Sequence, residues 1–162
     1  MRLEGSCHCR AVRFAVEAPS PVPYQRCYCS ICRKTQGGGG YAINLAADAN
    51  TLEIAGREHV KVYRARGTAA HGPDQSTTER HFCGHCASYL FVYEPGEPRL
   101  VHPFASAIDT PLPTPPERTH IRLNDKAEWV EVDDSPEDML YGGYPDLSIE
   151  DWHRRNGLYQ AD

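Results

Sequence analysis

FCGHC, residues 82–86, sets two cysteines three positions apart, and CHC, residues 7–9, sets another two near the opposite end of the sequence. Two close thiol pairs far apart in sequence are the usual way to assemble a tetrahedral thiolate zinc site. Each short loop supplies two sulfurs from one side, and the fold joins the halves. Between these pairs lies RCYCSICRKTQGGGG, residues 26–40, which carries Cys27, Cys29 and Cys32 followed by four glycines. The seven cysteines fall into these three groups with none left over.

Pairing the outer groups makes Cys7, Cys9, Cys83 and Cys86 a closed four-ligand site and leaves Cys27, Cys29 and Cys32 as a three-ligand site with one open position. Closed sites hold folds together, whereas open ones bind substrate or water. Two other readings stay open at this point: one zinc with three ordinary cysteines, or disulfides in an oxidised protein.

The 162 residues suit one domain spanning 1–162, small enough that a metal constraint helps the core. With 17 Lys+Arg against 22 Asp+Glu the formal charge is −5, which argues against a phosphate-binding surface and hence against nucleic acid as a main partner. The opening MRLEGS reaches a cysteine before an apolar run can form, and no stretch is long and apolar enough to span a membrane. The expectation is a cytoplasmic protein. In that compartment thiols stay reduced, and clustered ones are more often metal ligands or catalysts than disulfides.

Residues 11–16 (AVRFAV) and 59–63 (HVKVY) alternate apolar and polar, and 41–45, 51–54, 79–82 and 89–93 read as further short strands. The fold class predicted is mainly β with a few short peripheral helices. A turn or two of helix is predicted over 30–36, capped by Ser30. SPED at 135–138 carries a cap, an early proline and acids, as a helix start does. SIED at 148–151 resembles a capping box, with Arg154 and Arg155 in the last turn before Gly157. The proline-rich 111–116 reads as an extended connector, and HGPDQS at 71–76 as a plain loop.

The stretches GSCHC (5–9), CYCSICR with glycines following (27–33), and FCGHC (82–86) together resemble the glutathione-dependent formaldehyde-activating enzyme family, which also includes centromere protein V. The resemblance covers about residues 3–130, leaving 131–162 as a C-terminal extension with short helices. It implies an Mss4-like small β-sheet fold, a structural zinc on Cys7, Cys9, Cys83 and Cys86, and a second, labile zinc with a catalytic role on Cys27, Cys29 and Cys32. It also implies the carbon–sulfur lyase reaction that joins or separates glutathione and formaldehyde as S-(hydroxymethyl)glutathione. The family commonly places glycine directly after each half of the structural site, where this sequence has Arg10 and Ala87. Those residues either accept a left-handed backbone or turn differently. Tyr28 is bulkier than expected between two central cysteines and is predicted to narrow the open position.

The ligand set favours the same chemistry independently. Zinc with three thiolates carries a formal charge of −1, which makes it a poor Lewis acid toward water but suited to holding a fourth thiol as thiolate. The thiolate is the nucleophilic form. A glutathione-like thiol also brings carboxylates, for which Arg33 is the candidate donor because its planar fork matches them bidentately. Gly38 and Gly39, in the glycine run, would let backbone N–H groups approach the ligand. His59, His102 and Asp109 are candidates for a fourth ligand or proton shuttle, and spacing selects none of them. The partners expected are thus a small thiol and an aldehyde, and the sequence leaves a homodimer open. The alternatives are a non-catalytic zinc-stabilised interaction module of the same fold, or dithiol exchange at Cys29 and Cys32, which lacks the βαβ context of thioredoxin-like motifs.

Overall fold

A computed structural model describes residues 1–36, 38–68, 72–133 and 135–158. Strands β1 (Arg2–Ser6) and β2 (Arg13–Glu17) pair antiparallel, with Leu3 opposite Val16, and β6 (Glu53–Ala55) extends the sheet on the β2 side. The alternation of β1 and β2 puts Leu3, Phe14 and Val16 on the buried face. A five-stranded antiparallel sheet runs in the order β5 (Ala47–Asp48), β12 (Leu100–Pro103), β11 (Tyr89–Tyr93), β10 (Glu79–Cys83), β7 (Val60–Tyr63). The third sheet is mixed: β14 (Met139–Leu140), β13 (Arg118–Ile121), β3 (Tyr24–Cys27) and β4 (Ala42–Asn44), with β13 parallel to both neighbours. Strands β8 (Arg66–Thr68) and β9 (Gly72–Gln75) form a separate antiparallel pair. Two seven-residue α-helices, α1 (Ser30–Gln36) and α2 (Ile149–Arg155), and four three-residue 3-10 helices complete the elements among the described residues.

The mainly β class and the short helices are therefore as predicted. Ser148 caps α2, its hydroxyl accepting the Asp151 N–H at 3.0 Å, and Gly157 follows the helix with φ 67°. Three local expectations are corrected. HGPDQS is not a plain loop, since 72–75 form β9, while His71 lies outside the described residues. SPED forms a single turn, because the Asp138 carboxylate is held by β13 and the chain passes directly into β14. The sulfur of Cys29, rather than Ser30, accepts an N–H at the start of α1, that of Cys32 at 3.4 Å.

The buried side chains form two clusters, and each surrounds cysteines. Leu3, Val12, Phe14, Val16, Leu90 and Phe91 enclose Cys7 and Cys83, whereas Ile31, Val92, Phe104 and Ile121 enclose Cys27, Cys29 and Cys32.

Tyr28 is fully buried and turned away from the central cysteines' open side. Its hydroxyl lies 2.8 Å from His120 Nδ1, and its ring packs on Tyr41 at 5.2 Å. It does not narrow the site. His120 Nε2 lies 3.4 Å from Asp138 Oδ2, which accepts Arg118 Nη2 at 2.7 Å and the Ser135 N–H at 3.0 Å. Burial raises the Asp138 carboxyl, but the Arg118 guanidinium and the backbone N–H groups of Arg118 and Ser135 outweigh it and hold the group below the usual carboxylate range. A depressed folded pKa contributes stability that is present above the unfolded value and is lost as pH falls through the acid range. Asp138→Ala should cost about 3 kcal/mol at pH 7, lowering Tm by roughly 6–12 °C. Melts at successive pH values should show that deficit shrinking below about pH 4. A gap independent of pH would remove the carboxylate from this role.

Candidate metal centre

Each half of the outer site is a tight turn at a strand end: Cys7 follows β1, and Cys83 closes β10. The two turns are built alike. Cys7 N–H donates to Val12 O at 3.0 Å and Cys83 N–H to Ser88 O at 2.9 Å, while the Val12 and His85 N–H groups point at the Cys7 and Cys83 sulfurs at 3.2 and 3.4 Å. Arg10 and Ala87 close the turns, each donating to the carbonyl of the first cysteine at 2.9 Å with φ 60°. They adopt the left-handed backbone that glycine would take more easily. Ala87→Gly should therefore raise stability by up to about 1 kcal/mol, seen as a Tm gain of roughly 2–4 °C. A drop in Tm would mean that the turn's unfolded-state entropy dominates.

The sulfurs of Cys7, Cys9, Cys83 and Cys86 all lie within 4.8 Å of one another, with Cys7–Cys9 at 3.5 Å and Cys9–Cys83 at 3.8 Å. A tetrahedron with Zn–S bonds of about 2.3 Å has S–S edges of about 3.8 Å, so the four sulfurs fit zinc without rearrangement. The Ser88 hydroxyl, 3.2 Å from the Cys86 sulfur, leads in pulling that thiol down to about 5. His8 and His85 take no place in this set of four.

Cys27 ends β3, Cys29 lies in the following turn and Cys32 in α1, and their sulfurs are likewise within 4.8 Å of one another. All three are buried, and all seven cysteines of the chain are free thiols. Hydrogen bonding from Cys27, then from Cys32, pulls the Cys29 thiol down, and the bond to Cys29 pushes Cys27 far up. Either cluster can hold zinc.

One side of the central cluster opens on a cavity of about 160 Å³. Its floor is a cross-strand row of the five-stranded sheet, Arg80 on β10, Val92 on β11 and His102 on β12, in register with one another. The paired Gln25 and Asn44 and the paired Cys27 and Ile121 line it from the mixed sheet. His102 is the one of the three fourth-ligand candidates placed here. Its Nδ1 lies 3.0 Å from Leu45 O, and burial lowers its pKa. Asp109 instead accepts the Ser6 hydroxyl at 2.6 Å, and His59 packs on the ring of His85 at 4.2 Å.

Arg33, Gly38 and Gly39 do not line the cavity. Arg33 follows Cys32 on α1 with a buried Nε that has no partner among the described residues, and Gly38, at φ 51°, has open space where a side chain would be. Gly40 is required for packing, because a Cβ there would come within 2.2 Å of Val130 at φ 85°. Gly37 lies outside the described residues. The residue sequence reasoning missed is Arg80, whose only signal is a cation inside the predicted strand 79–82 that leads to Cys83.

A mainly β fold carrying one closed and one open-sided cysteine cluster is that of a small protein whose thiols can hold a metal ion. The glutathione-dependent formaldehyde-activating enzyme family matches residues 2–125, and the chain belongs to that family, whose fold is Mss4-like. A Halomonas elongata protein named "Putative glutathione-dependent formaldehyde-activating enzyme" is 58% identical over 161 residues, covering 99% of this chain and all of that one. A crystal structure of a Rhodobacter sphaeroides protein superposes with TM-score 0.50 at 24% identity, covering 70% of this chain and 92% of that one. No helix of the described residues is long and apolar enough to cross a membrane.

Proposed function

We propose that the chain is a zinc-dependent carbon–sulfur lyase that interconverts glutathione and formaldehyde with S-(hydroxymethyl)glutathione. The observation that carries this reading is the division of the cysteines: four fit a closed tetrahedron, and three line a cavity with room for a reacting group. Cys7, Cys9, Cys83 and Cys86 are assigned to a structural zinc, and Cys27, Cys29 and Cys32 to a second, catalytic and labile one. Zinc held by three thiolates stabilises a further thiol as thiolate, the form that adds to a carbonyl carbon.

The chain's own groups supply position and exclusion of water. Ile121 and Val92 dry the cavity beside the sulfurs. Pockets for drug-sized ligands run to about 300–1,000 Å³, so at about 160 Å³ this one admits the thiol end of the substrate and a one-carbon unit, not a tripeptide. The tripeptide body stays outside, where Arg33 and the backbone at Gly38 and Gly39 are assigned to hold it. The reducing conditions that such free thiols need support a cytoplasmic location.

The test is exchange spectroscopy with [¹³C]formaldehyde and glutathione, following conversion between free aldehyde and adduct. Exchange should accelerate in proportion to added zinc-loaded protein. A rate equal to that of buffer, with zinc added, would leave the non-catalytic module.

A further inference from the structure

A buried cation is costly unless an anion or a full set of acceptors surrounds it. Arg80 has neither. The residue is 6% exposed, and its Nε and Nη1 are buried without a hydrogen-bond partner among the described residues. Glu94, whose carboxylate feels the Arg80 charge, directs its oxygens to the Thr78 hydroxyl at 2.6 Å and the Gly96 N–H at 3.2 Å instead. Arg80 lines the same cavity as Cys27, Cys29 and Cys32, and Asn44 Oδ1, on the opposite wall, is also buried and without a partner among the described residues. The unmatched N–H donors of Arg80, lining one small cavity beside three thiols, call for an acceptor oxygen, and the Asn44 Oδ1 acceptor calls for a donor such as the hydroxyl of a hydroxymethyl group.

We propose that this cavity is an oxyanion subsite in which the Arg80 guanidinium donates to the oxygen of a one-carbon unit, so that it takes formaldehyde-sized carbonyls and small oxyanions such as formate. The identity of that oxygen rests on the proposed function. As the substrate sulfur's electron pair forms the C–S bond, the carbonyl π pair moves onto oxygen, and the negative charge passes from sulfur to an alkoxide that water then protonates. In reverse, the hydroxyl gives up its proton, the C=O bond re-forms, and the C–S pair returns to sulfur. Arg80 keeps its own proton throughout, because a guanidinium is not deprotonated in proteins. It stabilises the oxygen where charge develops, in a site with little water to compete.

The experiment is calorimetric titration of zinc-loaded protein with sodium formate, matched against sodium chloride, for the wild type and Arg80→Met. A three-heavy-atom anion at the ceiling of ligand efficiency binds at about millimolar, which is the expected wild-type Kd. Arg80→Met should weaken it at least tenfold. In the exchange assay the same variant should lose roughly 10²–10³ in kcat with KM for glutathione unchanged. No formate binding to the wild type, or equal affinity in the variant, would overturn the subsite and put any capture on the metal. Should Arg80→Met fail to fold, the ¹⁵N resonance of Arg80 Nε in the wild type provides the second measurement: it should shift saturably with formate, and a resonance that stays put overturns the proposal. Arg80-dependent formate binding without accelerated exchange would sink the lyase reading and keep the subsite. Accelerated exchange with Arg80-independent formate binding would do the reverse.

Discussion

Cys83→Ser should abolish the cooperative thermal melt and leave a chain that is largely unfolded at 25 °C. Cys83 is fully buried at the end of β10, inside the apolar cluster of Leu3, Phe14 and Phe91, and it joins the β10 turn to the β1 turn through the shared set of four sulfurs. Structural zinc sites of this kind contribute apparent binding free energies of about 10–16 kcal/mol, as large as the whole stability of a typical domain, about 5–15 kcal/mol. A serine oxygen is a poor replacement for thiolate toward zinc, and it leaves a buried hydroxyl among apolar neighbours. A strong chelator applied to the wild type should reproduce the loss. Circular dichroism melts with zinc analysis check both, and a variant that melts cooperatively within a few degrees of the wild type would deny the outer site its structural role.

Sequence and structure agree where the sequence pattern is local. Residues 89–93 run apolar and form β11, which buries Leu90, Phe91 and Val92, while β7 and β10 form over 60–63 and 79–83 beside it. The strands β3 and β13, YQRC and RTHI, carry no such pattern. They pair in parallel and bury Thr119 and His120, the His120 ring being met by Tyr28 and Asp138, so no periodicity announces them. GPDQ reads as loop by composition and becomes strand only through its partner β8.

The site divides in the same way. Cysteine spacing reveals both clusters, because each ligand turn is short and its metal chemistry follows from residue type alone. The cavity is illegible, since its floor takes one residue from each of three strands and its far wall comes from another sheet. Arg33 stands next to Cys32 in sequence, yet Arg80 reaches the cavity through cross-strand register, and register is a property of the assembled sheet.

Cys29→Ser should leave the fold standing and remove the chemistry. The Cys29 sulfur accepts the Cys32 N–H at the start of α1, a bond that a serine oxygen also makes, so the stability cost is only about 1–2 kcal/mol. Cys29 is a buried member of the cluster of Ile31, Val92, Phe104 and Ile121, whose mutual apolar contacts the substitution should leave in place. Zinc per chain should fall from near two to near one. Exchange between formaldehyde and its glutathione adduct should slow by about a thousandfold, the rate equivalent of losing roughly 4 kcal/mol of transition-state stabilisation from a metal centre. Elemental analysis of protein purified without chelator, the exchange assay and a melt on the same sample read all three. A ratio near one in both proteins would mean that the central thiols do not retain zinc. A melt that collapses as deeply as that of Cys83→Ser would mean that both clusters hold the fold, because only a metal on which folding depends can make one buried sulfur so costly to replace.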